Sequence, residues 1–353
     1  MGLDRPLPQD ICDCPRGKRN RITDVPGVRV GHATLHRGAR QTGVTAIIPQ
    51  PDNLFRRKLC AAVQVINGFG KSVGLVQIDE LGTLETPVLL TNTFAVGTAS
   101  TELIRYMMEQ NPDIGDTTGT VNPVVLECND GYLNDIRTLA VTGRHVRAAL
   151  DAADTDFAEG AVGGGTGMCC YGLKGGIGSS SRLLRFDDTT YTLGCLLMSN
   201  FGSLRDLTVG GVAVGRALTR PQPVPEEKGS IIVVLATDLP LNDRQLRRLC
   251  RRASVGITRT GAFIGNGSGE IALAFSTANR VEHYEKRAVV PTVGFNENRI
   301  NEVFRATVSA VEESVLSSLT HARTAVGRAG HTRLCLQDAL RKQANPAVHI
   351  DIW

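Results

Sequence analysis

Six short apolar runs, at residues 44–49, 61–66, 88–90, 193–198, 230–236 and 271–275, set the first limit on the fold. Each reads as a strand of about five residues, and several lack the polar alternate positions that a water-facing sheet requires. Such strands have to be covered on both faces, so the chain must also supply amphipathic helices to shield them. Four segments qualify. Residues 101–110 follow Thr98 and Ser100 as candidate caps, 145–153 form a short helix, and 242–254 follow Pro240 with Leu246, Leu249 and Cys250 on one face. The longest, 301–323, carries an apolar stripe of Val303, Phe304, Val308, Val311, Val315, Leu316 and Leu319. Strands and helices do not alternate as strict βαβ units, which favours a layered α+β sandwich over a doubly wound fold.

At 353 residues the chain is long enough for one large domain or two ordinary ones. Its net charge of +4 is small for that length, no dense basic block with interleaved aromatics occurs, and only 5% of residues are aromatic, all of which argue against a nucleic-acid partner. No 18-residue apolar stretch occurs, so no conventional membrane helix is expected. Residues 1–20 mix acids and bases with no run of seven apolar residues. They read as a flexible extension rather than a secretory signal. Nine cysteines without a CxxC pair fit reduced thiols in a cytoplasmic protein better than a disulfide framework or a zinc site.

The glycine-rich segment 160–182 holds neither GxGxxG nor GxxxxGK[ST], which argues against a phosphate cradle. Its glycines read as turns and as close backbone approach around 163–167, with Lys174 and Arg182 structural or gating. Cys169 and Cys170 have no histidine in their neighbourhood, no GxSxG elbow exists, and the seven histidines include no HExxH.

Ser230 stands apart. It lies between a polar, proline-rich stretch, 219–228, and the apolar run 231–235, so cleavage after Gly229 would expose it as a new N-terminus. A serine hydroxyl is a weak nucleophile without a base. A freed α-amine has a reference pKa of ~7.7–8.0 and is partly neutral near pH 7, so it can serve as that base. Read alone, Gly-Ser before a strand is a loop boundary more often than a processing site. Ser268 and Glu270, two apart at the mouth of the run 271–275, would share one side of an extended chain. Asn200, at the end of another apolar run, could donate to an oxyanion or cap a turn, and residues 129–135 form a polar loop with one aromatic hydroxyl, Tyr132.

Taken together these segments resemble the L-aminopeptidase/D-Ala-esterase family of self-processing hydrolases, which also includes β-aminopeptidases and, more distantly, nylon-oligomer hydrolases. The matching stretches include ITDVPGVRVGHAT (22–34), INGFGKSVGLVQIDELG (66–82), ECNDGYLNDI (127–136), YGLKGGIGSSSR (171–182), GSIIVVLATDLPL (229–241) and GNGSGEIALAFSTAN (265–279), in the family's order over roughly residues 20–320. The resemblance implies a four-layer αββα sandwich, similar to N-terminal-nucleophile hydrolases but differently connected. It also implies a single domain over 21–330, self-cleaved into an α chain, 1–229, and a β chain, 230–353, with 331–353 as a C-terminal tail. Ser230 would be the nucleophile, Ser268 and Glu270 would orient and tune it, Asn200 would hold the oxyanion, and Tyr132 would lie in the pocket. No metal or organic cofactor is implied, and the assembly would be a homotetramer of αβ units. The expected substrates are small peptides, amides or esters with a free N-terminal residue. Two alternatives stand beside this reading: an acyltransferase of the ornithine acetyltransferase type, against which a serine at 230 argues, and a non-catalytic relative that binds or assembles.

Overall fold

The computed structural model describes residues 14–219 and 228–342, so the interior of the expected linker lies outside the described residues. In chain order the strands are β1 (Arg29–Arg37), β2 (Arg40–Ile48), β3 (Arg57–Gly68), β4 (Thr83–Leu84), β5 (Val88–Asn92), β6 (Val124–Cys128), the hairpin β7 (Cys169–Cys170) and β8 (Leu173–Lys174), β9 (Gly176–Phe186), β10 (Thr189–Asn200), β11 (Lys228–Thr237) and β12 (Gly267–Glu282). The helices that cover them are α1 (Leu75–Leu81), α2 (Val96–Gln110), α3 (Gly143–Asp151), α4 (Val214–Leu218), α5 (Asp243–Arg259) and α6 (Ile300–Thr320), and a short α7 (Leu336–Arg341) follows. Of the two larger sheets, one has the order β1-β2-β5-β6 and the other β4-β3-β12-β11-β10-β9, and two further two-residue strands, Ala325–Val326 and Thr332–Arg333, pair with each other.

The apolar runs find cover on both faces, as their composition demands. Within β11, Ile232 and Val234 join a core between the sheets with Ile47, Leu90 and Leu126 of the smaller one, while Ile231, Val233 and Leu235 face a second core against α5 and α6. A third core packs Val44, Leu89 and Val125 of the smaller sheet against Leu103 and Met107 of α2 and Val146 and Leu150 of α3. The layer order is therefore αββα, the expected sandwich.

The helices begin where local chemistry lets them. Asn242 caps α5 by accepting from Gln245 N at 2.9 Å, and Gln245 Oε1 accepts in return from Asn242 N, a reciprocal box that satisfies two otherwise orphaned donors. The start of α2 differs from expectation: the helix begins at Val96, and the turn before it is capped by Asn92, whose Oδ1 accepts from Phe94 N and Ala95 N, not by Thr98 or Ser100.

Among the strands of five or more described residues, three were not expected, β1, β6 and β9. The third is the most instructive, because its sequence, GIGSSSRLLRF, is too small and polar to look like a buried strand. Its small residues serve the approach of α6. A Cβ on Gly178 would overlap the Ser314 carbonyl oxygen, Ser180 Oγ donates to Ala310 O at 2.7 Å, and Ser314 Oγ lies 3.1 Å from Ser180 Oγ. Polar atoms on this interface are satisfied across it rather than by water. Arg182 is buried there too, its guanidinium 2.5 Å from Glu313 of α6.

Segments read from the sequence as an extension and a tail lie against this body where they are described. Leu183 N donates to Pro15 O at 2.7 Å, Arg16 pairs with Glu313 at 3.0 Å, and Lys174 N donates to Leu334 O at 2.8 Å. Among the described residues no helix is long and apolar enough to cross a membrane.

Replacing Gly178 with valine forces α6 off β9 and is expected to lower stability by about 1–3 kcal/mol, the usual cost of overpacking. Equilibrium denaturation of wild type and variant measures it, and an unchanged midpoint would contradict the close approach.

Candidate active site

Two connections bring distant residues to one sheet edge. The β11–α5–β12 crossover makes β11 and β12 parallel, so their N-terminal ends lie side by side, and β10 runs antiparallel to β11 and delivers its C-terminal end to the same place. Ser230 is thereby opposite Asn200 on one side and Gly269 on the other. Paired residues project to one face, so the Ser230 hydroxyl shares its face with Asn200, and a Cβ added to Gly269 would stand 3.3 Å from Ser230 Oγ. Ser268 and Glu270 are both buried and occupy the other face, flanking the Ser230 main chain. Their spacing does put them on one side of a strand, as the sequence suggested.

A cavity of about 700 Å³ opens at this edge. Gly229, Ser230, Asn200 and Tyr132 line it, together with Glu127 and Lys71. Glycine at 229 has a local cause: a Cβ there would lie 2.5 Å from the Asn200 carbonyl oxygen. The Ser230 hydroxyl donates to the Gly229 carbonyl oxygen at 2.5 Å, so this hydroxyl and the neighbouring peptide meet on the cavity wall.

The Asn200 side chain is held at both ends. Its Oδ1 accepts from Cys169 N at 2.8 Å and its Nδ2 donates to Asn129 O at 3.0 Å. Only one amide orientation satisfies a donor on one side and an acceptor on the other, so the network itself assigns oxygen and nitrogen. Nδ2 carries two hydrogens, and Asn129 takes one of them.

Tyr132 is half exposed and clamped. Its ring stacks on His331 with centroids 4.7 Å apart, the Arg333 guanidinium lies 3.6 Å from the ring centroid, and Arg333 Nη1 donates to the phenolic oxygen at 2.9 Å. Residues beyond 330 therefore hold a cavity-lining side chain in place.

Glu127 is the cavity residue that sequence reasoning did not single out. It is almost wholly buried on β6, where it accepts from Lys71 N at 2.7 Å and from the Thr93 hydroxyl, and among the described residues no lysine, arginine or histidine lies within ion-pair distance of it. The available signal was a carboxylate inside the otherwise apolar VVLEC. Glycines 163, 164, 165 and 167 pack against neighbouring backbone or side chains and form no ligand cradle. The Cys170 thiol is pushed up to about 12 by burial and Cys169 is raised for the same reason, as suits inert thiols. Below the cavity, Asp130 is fully buried and accepts from Asn134 Nδ2 at 3.0 Å; burial pushes its carboxyl from 3.8 up to about 6.

Comparison with known proteins places this geometry. The family model described as peptidase family S58 matches residues 20–333. The β-peptidyl aminopeptidase BapA of Sphingosinicella xenopeptidilytica is 37% identical over 335 residues, covering 88% of this chain and 83% of that protein. Among solved structures, the PH0078 protein of Pyrococcus horikoshii superposes with a TM-score of 0.88 at 50% identity, covering 94% of this chain and 97% of the other. The L-aminopeptidase D-Ala-esterase/amidase of Ochrobactrum anthropi, described as a prototype of the serine aminopeptidases and a variant of the Ntn hydrolase fold, superposes with a TM-score of 0.86 at 36% identity, covering 96% and 97%.

The Asp130 carboxyl makes a directional prediction. Its folded pKa lies above the unfolded value, so its contribution to stability is complete below pH 3.8 and is lost as pH rises through about 6. Asp130→Asn should remove that slope, on the order of 3 kcal/mol between pH 4 and 7. Denaturant midpoints of both proteins across this range test it, and parallel curves would refute it.

Proposed function

The chain belongs to peptidase family S58, and from that premise we propose that it is a self-processing aminopeptidase and amidase with Ser230 as its nucleophile. The observation that carries the reading is the position of the Gly229-Ser230 peptide on the cavity wall, with its hydroxyl against its own carbonyl and Asn200 alongside.

In the first reaction the Ser230 oxygen attacks the Gly229 carbonyl carbon, and the tetrahedral species collapses with the Ser230 nitrogen leaving as an amine. The hydroxyl proton passes to that nitrogen, and an ester joins Gly229 to Ser230 Oγ. Water then hydrolyses the ester, leaving the Gly229 carboxylate, a free hydroxyl and a new α-amine. Ser268 and Glu270, which flank the main chain at this point, orient that amine and tune its basicity. In the mature enzyme the amine takes the hydroxyl proton as Ser230 attacks a substrate carbonyl, and the free Nδ2 hydrogen of Asn200 stabilises the oxyanion. The proton then goes to the leaving amine or alcohol, and water releases the acyl group.

An N-terminal residue differs from other substrates by its ammonium group. Among the described residues Glu127 is the cavity-lining anion without an ion-pair partner, so it is the group fitted to hold that ammonium, and Tyr132 packs beside the bound residue. Tetramer formation and a cytoplasmic setting complete the reading. Eight described cysteines carry no disulfide, which suits a reducing compartment.

Mass analysis under denaturing conditions should find two chains, 1–229 and 230–353, and Ser230→Ala should leave one intact, inactive chain. Full cleavage of that variant would place the nucleophile elsewhere. Glu127→Gln should raise KM for aminoacyl p-nitroanilides roughly ten- to a hundredfold, since a hydrogen bond to a charged group is worth about 1.5–3 kcal/mol. An unchanged KM would assign the ammonium to another group.

A further inference from the structure

The oxyanion donor has a support that the proposed reaction does not use directly. Lys174 is fully buried, and among the described residues it has no carboxylate within ion-pair distance. Its three ammonium hydrogens all go to backbone carbonyls: Gly165 O at 3.0 Å, Met168 O at 2.7 Å and Gly175 O at 2.7 Å. An ammonium taken out of water needs every donor used, and here every donor is.

The bond to Met168 matters most. The Met168 carbonyl and the Cys169 N–H are two ends of one peptide group, which is planar, so fixing the direction of one fixes the other. Lys174 holds the oxygen end, and the nitrogen end donates to Asn200 Oδ1 at 2.8 Å. The chain of bonds therefore runs from the ammonium through one peptide plane to the side-chain amide of Asn200, a residue that lines the cavity opposite Ser230. A cation on a carbonyl makes the attached N–H a better donor, and hydrogen bonds in series polarise one another in the same sense. Gly175 N also donates to Met168 O at 3.1 Å, so the carbonyl is pinned from two sides.

We propose that Lys174 is a positioning residue for the hydrolytic reaction, orienting and polarising the Asn200 amide through the Met168–Cys169 peptide. The inference rests on the assignment of Asn200 as oxyanion donor made above. It separates Lys174 from Arg182, the other buried cation of the same segment, which meets Glu313 and Ser309 of α6 instead.

The test is a double-mutant cycle on processed protein, with rates normalised to the amount of chain beginning at Ser230. Lys174→Met should lower kcat roughly ten- to a hundredfold, less than the ~100–1,000-fold loss expected on removing an oxyanion donor itself. KM should stay within about threefold. Lys174→Gln keeps an N–H donor toward Met168 without the charge, so it should fall between wild type and Lys174→Met, and it serves if the methionine variant does not fold. In an Asn200→Ala background either substitution should have little further effect on kcat, because the group it acts through is gone. Additive losses in the double variant, or a folded single variant with wild-type kcat, would overturn the proposal. Wild-type kcat in Asn200→Ala alone would instead overturn the oxyanion assignment beneath it.

Discussion

The parallel pairing of β11 with β12 is the constraint from which the rest follows. Parallel neighbours need a long crossover, and α5 provides it while covering the outer face of the sheet it spans. The crossover brings two strand beginnings to the same edge, with Ser230 paired to Gly269, thirty-nine positions later in the sequence. Because β10 approaches from the opposite direction, that edge also receives a strand end, with Asn200 on it. An antiparallel β12 would have placed Ser268 and Glu270 at the other end of β11. The chemistry proposed for Ser230 thus depends on topology before it depends on any side chain.

Much of this was legible in the sequence, and for a physical reason. The run at 230–236 alternates between two cores, so both of its faces had to be apolar, and the run at 271–275 does the same one strand over. The glycine at 229 and the residues Asn200, Ser268 and Glu270 sit at the ends of such runs, where a polar residue stands out against its neighbours. The strand β9 was not legible, because its serines are satisfied by separate segments: Ser180 by α6, Ser179 by the Cys195 carbonyl of β10 and Ser181 by Asp24. Glu127 was hidden for a similar reason. Its environment depends on Lys71 N and the Thr93 hydroxyl reaching it from separate segments, and on no cation among the described residues lying within ion-pair distance, which no local pattern records.

The boundaries of the body also depend on contacts invisible in the sequence. Arg16 joins Arg182 on Glu313, and Asn20 adds a third hydrogen bond to the same carboxylate at 2.8 Å. A polar segment without apolar periodicity looks detachable, yet here it helps neutralise a charge that the helix α6 has buried. On the opposite side, His331 and Arg333 fix Tyr132 although they follow the last stretch with any apolar pattern. Composition separates core from surface well, but it is blind to charged residues whose role is to satisfy another buried charge.

Among the described residues, Glu127 and Lys174 are both buried without an ion-pair partner, and they lie on different sides of Ser230. Glu127 presents a carboxylate to the cavity, and Lys174 presents an ammonium to the peptide behind Asn200. Burying a charge without an opposite partner is costly, and the cost is not needed to hold the sandwich together, since its three cores are apolar. A substrate ammonium would complete the first charge in the ground state, whereas negative charge on the carbonyl oxygen would complete the second only as the tetrahedral species forms. Interactions of the first kind govern binding and those of the second govern rate. In the proposed function the same arrangement would also separate the two reactions at Ser230: self-cleavage would bring no ammonium to Glu127, so it would draw on the Asn200 side alone, and the acidic side of the cavity would become useful only after Ser230 had been freed.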